Sequence, residues 1–117
     1  MRFDTEVTVS RQSVKPDVPE QAAVAGLDPL LGHKSRLGAM VLISGAELTF
    51  SRLKVLLDET DGNLGAQLRK LEEAGYVSVR KEFVDRKPVS WYGLSATGKK
   101  ALRAHLKAME ELIAMAR

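Results

Sequence analysis

The sequence predicts a mainly α-helical fold with a small β-hairpin, an α+β domain that ends in a long helix. Between residues 28 and 75, apolar residues recur at helical spacing in three short segments. The spacing then changes to alternation over YVSVRKEFV and PVSWYGL, which are rich in Val, Tyr, Phe and Trp, as strands are. The C-terminal run SATGKKALRAHLKAMEELIAMAR returns to a helical pattern behind Ser95, which suits an N-cap position.

Length and composition limit the functions that the chain can have. It has 117 residues, the size of one domain, and 44% of them are hydrophobic, as in an ordinary globular protein. The absence of cysteine excludes disulfides and thiolate metal sites, and we expect neither a metal nor another cofactor. No apolar run approaches the roughly 20 residues that cross a bilayer, and MRFDTEVTVSRQ lacks the apolar region of a signal peptide. We therefore expect a cytoplasmic protein without membrane contact.

The first 26 residues differ from the rest of the chain. Phe3, Thr5, Val7 and Val9 alternate with polar residues, which is a weak strand signal. The run SVKPDVPEQ follows, and its two closely spaced prolines are typical of an extended linker. We expect residues 1–26 to form a flexible or partner-docked arm outside the core.

Two helices are predicted before residue 60. Asp28 and Pro29 suit the N-cap and first position of one helix, which Ser44-Gly45 ends. Thr49 suits the N-cap of the next, and Leu48 is placed to pack on Leu53 as a hydrophobic staple. The predicted apolar sides are Leu30, Leu37, Met40, Val41 and Ile43 in the first helix, and Phe50, Leu53, Leu56 and Leu57 in the second.

The run DGNLGAQLRKLEEAG, residues 61–75, predicts a third helix with a slender start. Thr60 can cap it and Gly75 can end it. Glycine inside a helix costs roughly 1 kcal/mol relative to alanine, so Gly62 and Gly65 indicate that something large approaches this end closely. A short polar turn before a helix with one buried stripe is typical of a helix-turn-helix. The stripe consists of Leu64, Leu68 and Leu71.

Positive charge is concentrated in the second half of the chain. Residues 61–117 carry eleven basic and seven acidic side chains, whereas residues 1–27 carry three and four, and residues 28–60 carry four of each. Such an excess suggests a polyanionic partner. A solvated surface with surplus lysine is the alternative that charge alone leaves open.

The predicted hairpin has a basic tip, Asp85 to Lys87, closed by Pro88. Arg80 and Lys81 serve either to keep an exposed strand edge soluble or to contact phosphate. Trp91 and Tyr92 are expected to pack rather than to stack on bases.

The apolar residues of the last helix cover roughly half of its circumference, more than a one-sided surface helix buries. The same helix of another chain is the simplest partner, and packing on the first helix alone is the alternative. The residues predicted for a dimer interface are Ala101, Ala108, Met109, Leu112 and Met115.

The order of three helices, a basic hairpin and a long helix resembles the winged helix-turn-helix transcriptional regulators, near the MarR-like and ArsR-like groups. It is most similar to the small winged helix DNA-binding domain regulators. The resemblance covers about residues 28–106 and rests on TDGNLGAQLRKLEEAGYV and the pattern W-Y-x-L-[ST]-x-x-G. It implies sequence-specific binding of duplex DNA by a homodimer, usually with repression of transcription. The cysteine or histidine clusters of ArsR-like metal sensors are absent, so metal sensing does not carry over.

On this view residues 27–117 form a winged helix DNA-binding and dimerisation domain, with the third helix in the major groove and the hairpin beside the minor groove. Asn63 and Gln67 suit bidentate contacts to adenine, and Arg69 suits guanine or phosphate. The predicted DNA-binding residues are Thr60, Gly62, Asn63, Ala66, Gln67, Arg69 and Lys70 in the helix, and Arg86 and Lys87 in the wing.

The sequence leaves three alternatives to DNA binding. The modest charge of the third helix leaves open a winged-helix module that binds another protein instead. A small-molecule sensor with a pocket at the dimer interface is a second alternative, although no polar cluster marks such a pocket. An enzyme is not expected, because His33 and His105 are predicted on different helices and no GxxxxGK loop or serine elbow is present.

Overall fold

The computed structural model describes residues 18–117, which form five α-helices, a 3₁₀ helix and one antiparallel sheet. The order of elements confirms the predicted α+β class, and the sheet gains a short strand that the sequence did not predict. The helices are α1 (Pro19–Ala25), the 3₁₀ helix (Pro29–Gly32), α2 (Lys34–Leu42), α3 (Phe50–Leu57), α4 (Asp61–Glu73) and α5 (Ala96–Ala116). The strands are β1 (Leu48–Thr49), β2 (Val77–Val84) and β3 (Lys87–Leu94), in the order β1-β3-β2.

The segment predicted as one helix after Asp28 consists of two elements. The Asp28 carboxylate accepts the N–H of Leu30 at 3.0 Å and caps the 3₁₀ helix instead of a continuous α-helix. His33 then adopts an extended backbone, and its Nδ1 accepts the N–H of Ser35 at 3.1 Å, so that it caps α2. The break turns Leu31 into the core, where it is fully buried.

The core is aliphatic and is centred on the leucine stripe of α4. Leu64, Leu68 and Leu71 are all buried, as the sequence predicted. Two other predicted core positions are wrong, since Leu56 is 43% exposed and Val41 is 45% exposed. At 100° per residue, Leu56 lies on the side of Leu53 away from its half-buried neighbours Phe50 and Leu57, and so it points out of the core.

The caps of the later helices confirm the predicted bounds of the helix-turn-helix. Thr60 accepts the N–H of Asn63 at 3.2 Å at the start of α4, and Gly75, with φ of +78°, ends it. Ser95 accepts the N–H of Gly98 at 2.9 Å at the start of α5. A β-carbon on Gly98 would lie only 1.9 Å from the carbonyl oxygen of Tyr76, so α5 packs directly on the backbone before β2.

The hairpin loop is shorter than predicted. Val84 pairs with Lys87, which leaves Asp85 and Arg86 as a two-residue loop. Both residues have positive φ, 51° and 67°, the conformation of a type I′ turn, whose twist matches that of the strands. Pro88 therefore belongs to β3. Strand β1 pairs with β3 only at Trp91 and Tyr92, so the missing N–H of Pro88 costs no hydrogen bond to β1.

His105, the histidine of α5, takes part in hydrogen bonds that connect distant elements of the fold. The buried Nδ1 of His105 accepts the backbone N–H of Asp28 at 2.9 Å. The carboxylate of Asp28 in turn accepts the hydroxyl of Tyr76 at 2.5 Å, and this hydrogen bond raises the pKa of Tyr76. These contacts join α5, the 3₁₀ helix and the start of β2, and no group of acidic and histidine side chains in residues 18–117 could hold a metal ion.

Part of the expected arm is a helix. Residues 19–25 form α1, which packs on α5 and buries Ala23. A β-carbon on Gly26 would lie 3.1 Å from the β-carbon of Ala108, so the two elements approach closely. The strand signal from Phe3 to Val9 lies outside the described residues, and the domain boundary after residue 26 stays a prediction. None of the helices described combines the length and apolar character needed to span a membrane.

Candidate nucleic-acid interface

The surface of α4 opposite the leucine stripe is open and polar. Asn63, Arg69 and Lys70 are exposed, and Ala66 is half-buried between them. A β-carbon on Gly62 would meet no atom within 4 Å. Packing within the described residues therefore does not require glycine at the start of this helix, and the slender surface faces outward.

A carboxylate before α4 orients the first polar side chain of this face. Glu59 accepts the hydroxyl of Ser35 through one oxygen and the side-chain amide of Asn63, at 3.3 Å, through the other. The hydrogen bond from Ser35 is the main reason that the pKa of Glu59 is lowered, and its carboxylate is therefore ionised at neutral pH. Because only the nitrogen of the Asn63 amide can donate to a carboxylate, the amide oxygen is left for other contacts.

Arg36 in α2 binds the side chain of Gln67, the second amide predicted to contact adenine. Arg36 donates from Nη1 to Oε1 of Gln67 at 2.5 Å and from Nε to the carbonyl oxygen of Leu30 at 2.6 Å. A bidentate adenine contact uses both the oxygen and the nitrogen of an amide. With its oxygen bound to Arg36, Gln67 offers chiefly its NH₂ group, and the adenine contact expected from the sequence is weakened. No local pattern in α4 could have indicated this, because Arg36 lies on another helix.

The predicted wing residues lie at the far end of the hairpin. Arg86 occupies the second position of the turn, and Lys87 begins β3. Both are exposed, as are Arg69, Lys70 and Lys81. Within residues 18–117, the salt bridges join Lys54 to Asp61 and Arg80 to Glu47 and Glu82, so none of these five cations is paired there. Five positive side chains on α4 and the hairpin, none of them paired within the described part of the chain, make this side attractive to phosphate.

Arg80, in contrast to these five cations, makes contacts within the protein that stabilise the sheet. Its guanidinium contacts the carboxylates of Glu47 at 2.9 Å and Glu82 at 3.3 Å, and it lies over the ring of Trp91 at 5.4 Å from the centroid. Trp91 also donates from Nε1 to Glu82 at 2.7 Å. These contacts favour the structural interpretation of Arg80 over a phosphate contact and keep the Glu82 carboxylate occupied.

A cleft of about 340 Å³ separates α4 from the hairpin. Gly65 lines this cleft. It therefore lies on the side of α4 that faces the hairpin, whereas Gly62 lies on the outer face. Arg69 and Lys81 enter from opposite walls, and Glu72 is the acidic side chain among the lining residues. Burial is the largest cause of the raised pKa of Tyr92, which also lines the cleft. The two cations on its walls suit the passage of a phosphate backbone between helix and wing.

The predicted dimer residues on α5 differ in their surroundings. Ala108 is buried, and it lies against Gly26 next to α1 of its own chain. Ala101, Met109 and Leu112 are half-buried, and Met115 is 42% exposed. Leu106 and Ile113, which the sequence analysis did not assign to an interface, are also exposed. Apolar surface therefore remains along α5 beside the part that α1 covers.

Comparisons with known proteins agree with this geometry. The family model of the winged helix DNA-binding domain matches residues 36–113. The structure of a transcriptional regulator homologue protein from Pyrococcus horikoshii OT3 has 30% sequence identity and a TM-score of 0.69, and it is similar over 74% of this chain and 87% of its own.

Two further solved structures share the fold at lower identity. HlyU from Vibrio cholerae N16961 has 24% identity and a TM-score of 0.57, over 70% of this chain and 86% of its own. The transcriptional repressor BigR from Xylella fastidiosa has 22% identity and a TM-score of 0.57, over 100% of this chain and 98% of its own. A search of curated protein sequences finds no match. The resemblance noted in the sequence is confirmed by the family model, which spans most of the chain, and the protein belongs to the family of winged helix DNA-binding domains.

Proposed function

We propose that this protein is a sequence-specific regulator of transcription that binds double-stranded DNA as a homodimer. The observation that carries the proposal is the outer face of α4, which is slender at Gly62, polar at Asn63 and positive at Arg69 and Lys70. A recognition helix that inserts its N-terminal half into the major groove needs such a face.

The role of each residue in the interface follows from the chemistry of its side chain. Asn63 and Arg69 read base edges, and Lys70 adds charge near the backbone. Thr60 leaves the first N–H groups of α4 directed outward, where a phosphate can accept from them. The wing residues Arg86 and Lys87 contact phosphates beside the minor groove.

A homodimer would bring two copies of α4 to one site. The exposed apolar side chains of Leu106 and Ile113, which lie two turns apart on one face of α5, support self-association, since solvent-exposed apolar patches mark interaction surfaces. A two-fold dimer places two recognition helices about 34 Å apart, on a near-palindromic operator. We expect the bound dimer to repress transcription, as the resemblance noted in the sequence implies. BigR, which shares the fold, is a transcriptional repressor.

Selection from a pool of random duplexes tests this function. The full chain should enrich a two-fold symmetric sequence, and Asn63→Ala and Arg69→Ala should each weaken binding to it by about 1–3 kcal/mol. Arg103→Ala removes the same charge as Arg69→Ala from an exposed position on α5, and so it serves as the matched control. If no sequence is enriched and random duplex is not bound at low salt, the protein is not a DNA-binding regulator.

A sedimentation experiment with Ile113→Asp, expected to yield monomers, tests the dimer separately.

A further inference from the structure

We propose that Phe83 is an apolar wedge that enters the minor groove of bound DNA and kinks the duplex toward the major groove. This inference rests on the proposed function and adds to it a mode of contact that base reading by α4 and phosphate binding by the wing do not include. Proteins that bend DNA in this way insert side chains such as Phe, Leu or Pro between base steps.

The first support is the exposure of the side chain. Phe83 is 78% exposed, more than any other large apolar residue in the described part of the chain. Its neighbour across the hairpin, Pro88, is exposed as well. An aromatic ring at the end of a hairpin has no core to join, and a cluster of exposed apolar groups marks a surface that a partner covers.

The second support is the face of the hairpin on which the ring lies. Directly paired residues share a face, and alternate pairs along the ladder return to it. The pairs Val79–Tyr92, Lys81–Ser90 and Phe83–Pro88 therefore lie on one face. The first two pairs line the cleft against α4, so Phe83 and Pro88 extend the same face outward. A duplex seated on α4 and crossing this cleft would meet the ring next.

The third support is charge, which selects DNA among possible occupants. Lys81 lies two residues inward from Phe83 on the same face, and Arg86 and Lys87 lie beyond Phe83 toward the tip. Asp85 is the single acidic residue of the turn, and Glu82 is occupied by Arg80 and Trp91. The centre of a protein-binding patch is normally poor in lysine and other charges, whereas an apolar wedge between cations suits a groove walled by phosphates.

The hairpin also has the stiffness that a wedge requires. The ladder of β2 and β3 is continuous from Val77–Leu94 to Val84–Lys87, and it closes in a two-residue turn. The fixed φ of Pro88 restricts the strand directly opposite the ring. The backbone at Phe83 is therefore held in place before DNA arrives, so little loop ordering opposes the insertion of the ring.

The hypothesis can be tested with a duplex of about 30 base pairs that carries a donor and an acceptor dye at its ends. The sequence is one enriched by the wild-type chain, and energy transfer measures the end-to-end distance. The wild type should shorten this distance by a kink of roughly 20–90°. Phe83→Ala should abolish the kink and bind about tenfold more weakly, which corresponds to about 1.4 kcal/mol. Phe83→Leu, which keeps an apolar wedge, should retain most of the kink.

Val84→Ala is the matched control. It removes apolar surface one residue nearer the tip and on the opposite face, so it should bend and bind DNA like the wild type. The wedge is disproved if Phe83→Ala bends the duplex as the wild type does, or if its only effect is a changed oligomeric state. A wild-type chain that binds no duplex would instead overturn the proposed function, and the wedge with it.

Discussion

Arg36 in α2 donates a hydrogen bond of 2.5 Å to the side-chain oxygen of Gln67 in α4, 31 residues farther along the chain. A second donation, from Nε to the carbonyl oxygen of Leu30, fixes the guanidinium at its other side. The contact links α4 to α2. It also decides which end of the Gln67 amide is available to DNA.

We therefore expect Gln67→Glu to separate folding from binding. A carboxylate can still accept from Arg36, and the charged pair should leave stability unchanged or raise it by about 0–1 kcal/mol. The same change removes the NH₂ donor and adds a negative charge near phosphate, so binding to the selected duplex should weaken by at least about 1 kcal/mol. Urea denaturation and a binding titration measure the two effects. Gln67→Met, which loses the donor without adding charge, is the control, and wild-type affinity in both variants would place Gln67 outside the interface.

Gly62→Ala should have opposite effects on stability and on DNA binding. A β-carbon at this position meets no atom of the described chain, and alanine favours a helix by about 0.5–1 kcal/mol over glycine. The denaturation midpoint should therefore rise. If the major groove closes on this surface, affinity should fall for alanine and fall further for Gly62→Leu, although both residues are good helix formers. Unchanged affinity across this size series would mean that DNA does not approach Gly62.

Leu68→Ala should destabilise the domain by about 2–5 kcal/mol, because the side chain is fully buried at the centre of the leucine stripe. The exposed Lys70 lies two residues farther along the same helix, and Lys70→Ala should change stability by no more than about 0.5 kcal/mol. Urea unfolding followed by far-ultraviolet circular dichroism measures both. A small effect at position 68 would indicate that the core relaxes to fill the cavity.

Features of this fold that depend on local spacing could be predicted from the sequence. The leucine stripe and the caps at Thr60 and Ser95 need only a few neighbouring residues, and the structure confirms them. Contacts between distant segments were not predictable in this way. Neither the bond from Arg36 to Gln67 nor the packing of α1 on α5 leaves a periodic signal.

Some local predictions were wrong because two conformations compete for the same residues. Asp28 and Pro29 begin a 3₁₀ helix as readily as an α-helix, and the capping ability of His33 decided the break. At the hairpin, the positive φ of Asp85 and Arg86 produced a two-residue turn without glycine or asparagine, the usual indicators of type I′. The base-reading and phosphate-binding roles of Asn63, Arg69, Arg86 and Lys87 stay predictions.

Stability should depend on the ionisation of Glu59. The pKa of this carboxyl lies below its ordinary value of 4.5 in the folded protein, first because of the hydrogen bond from Ser35. A depressed pKa contributes stability that is complete above the unfolded value, and it is lost as pH falls through the folded value. Unfolding measured between neutral pH and pH below 4.5 should therefore show a loss on the acid side that Glu59→Gln reduces. Ser35→Ala should bring the pKa closer to 4.5, and identical acid profiles for all three proteins would contradict the role of this contact.

If the wing contacts phosphates, the salt dependence of DNA binding should show these contacts. Each phosphate neutralised by a cation releases condensed counterions, so the slope of log K against log salt counts such contacts, at about 0.9 per phosphate. Replacing both Arg86 and Lys87 by alanine should reduce the slope by about 1.8 and weaken specific and random duplexes by a similar factor. Base contacts carry specificity instead, so Asn63→Ala should lower affinity for the selected sequence and leave the slope almost unchanged.

The control for this experiment is the double variant Arg103→Ala, Lys107→Ala. It removes one arginine and one lysine from exposed positions on α5, and so it matches the wing variant in charge. If net charge alone attracts DNA, the two double variants should change the slope equally. If the wing contacts phosphate, only the change at residues 86 and 87 should do so, because long-range attraction is screened beyond about 10 Å at 0.1 M salt whereas a direct contact is not. An unchanged slope in the wing variant would mean that the hairpin tip lies away from the DNA.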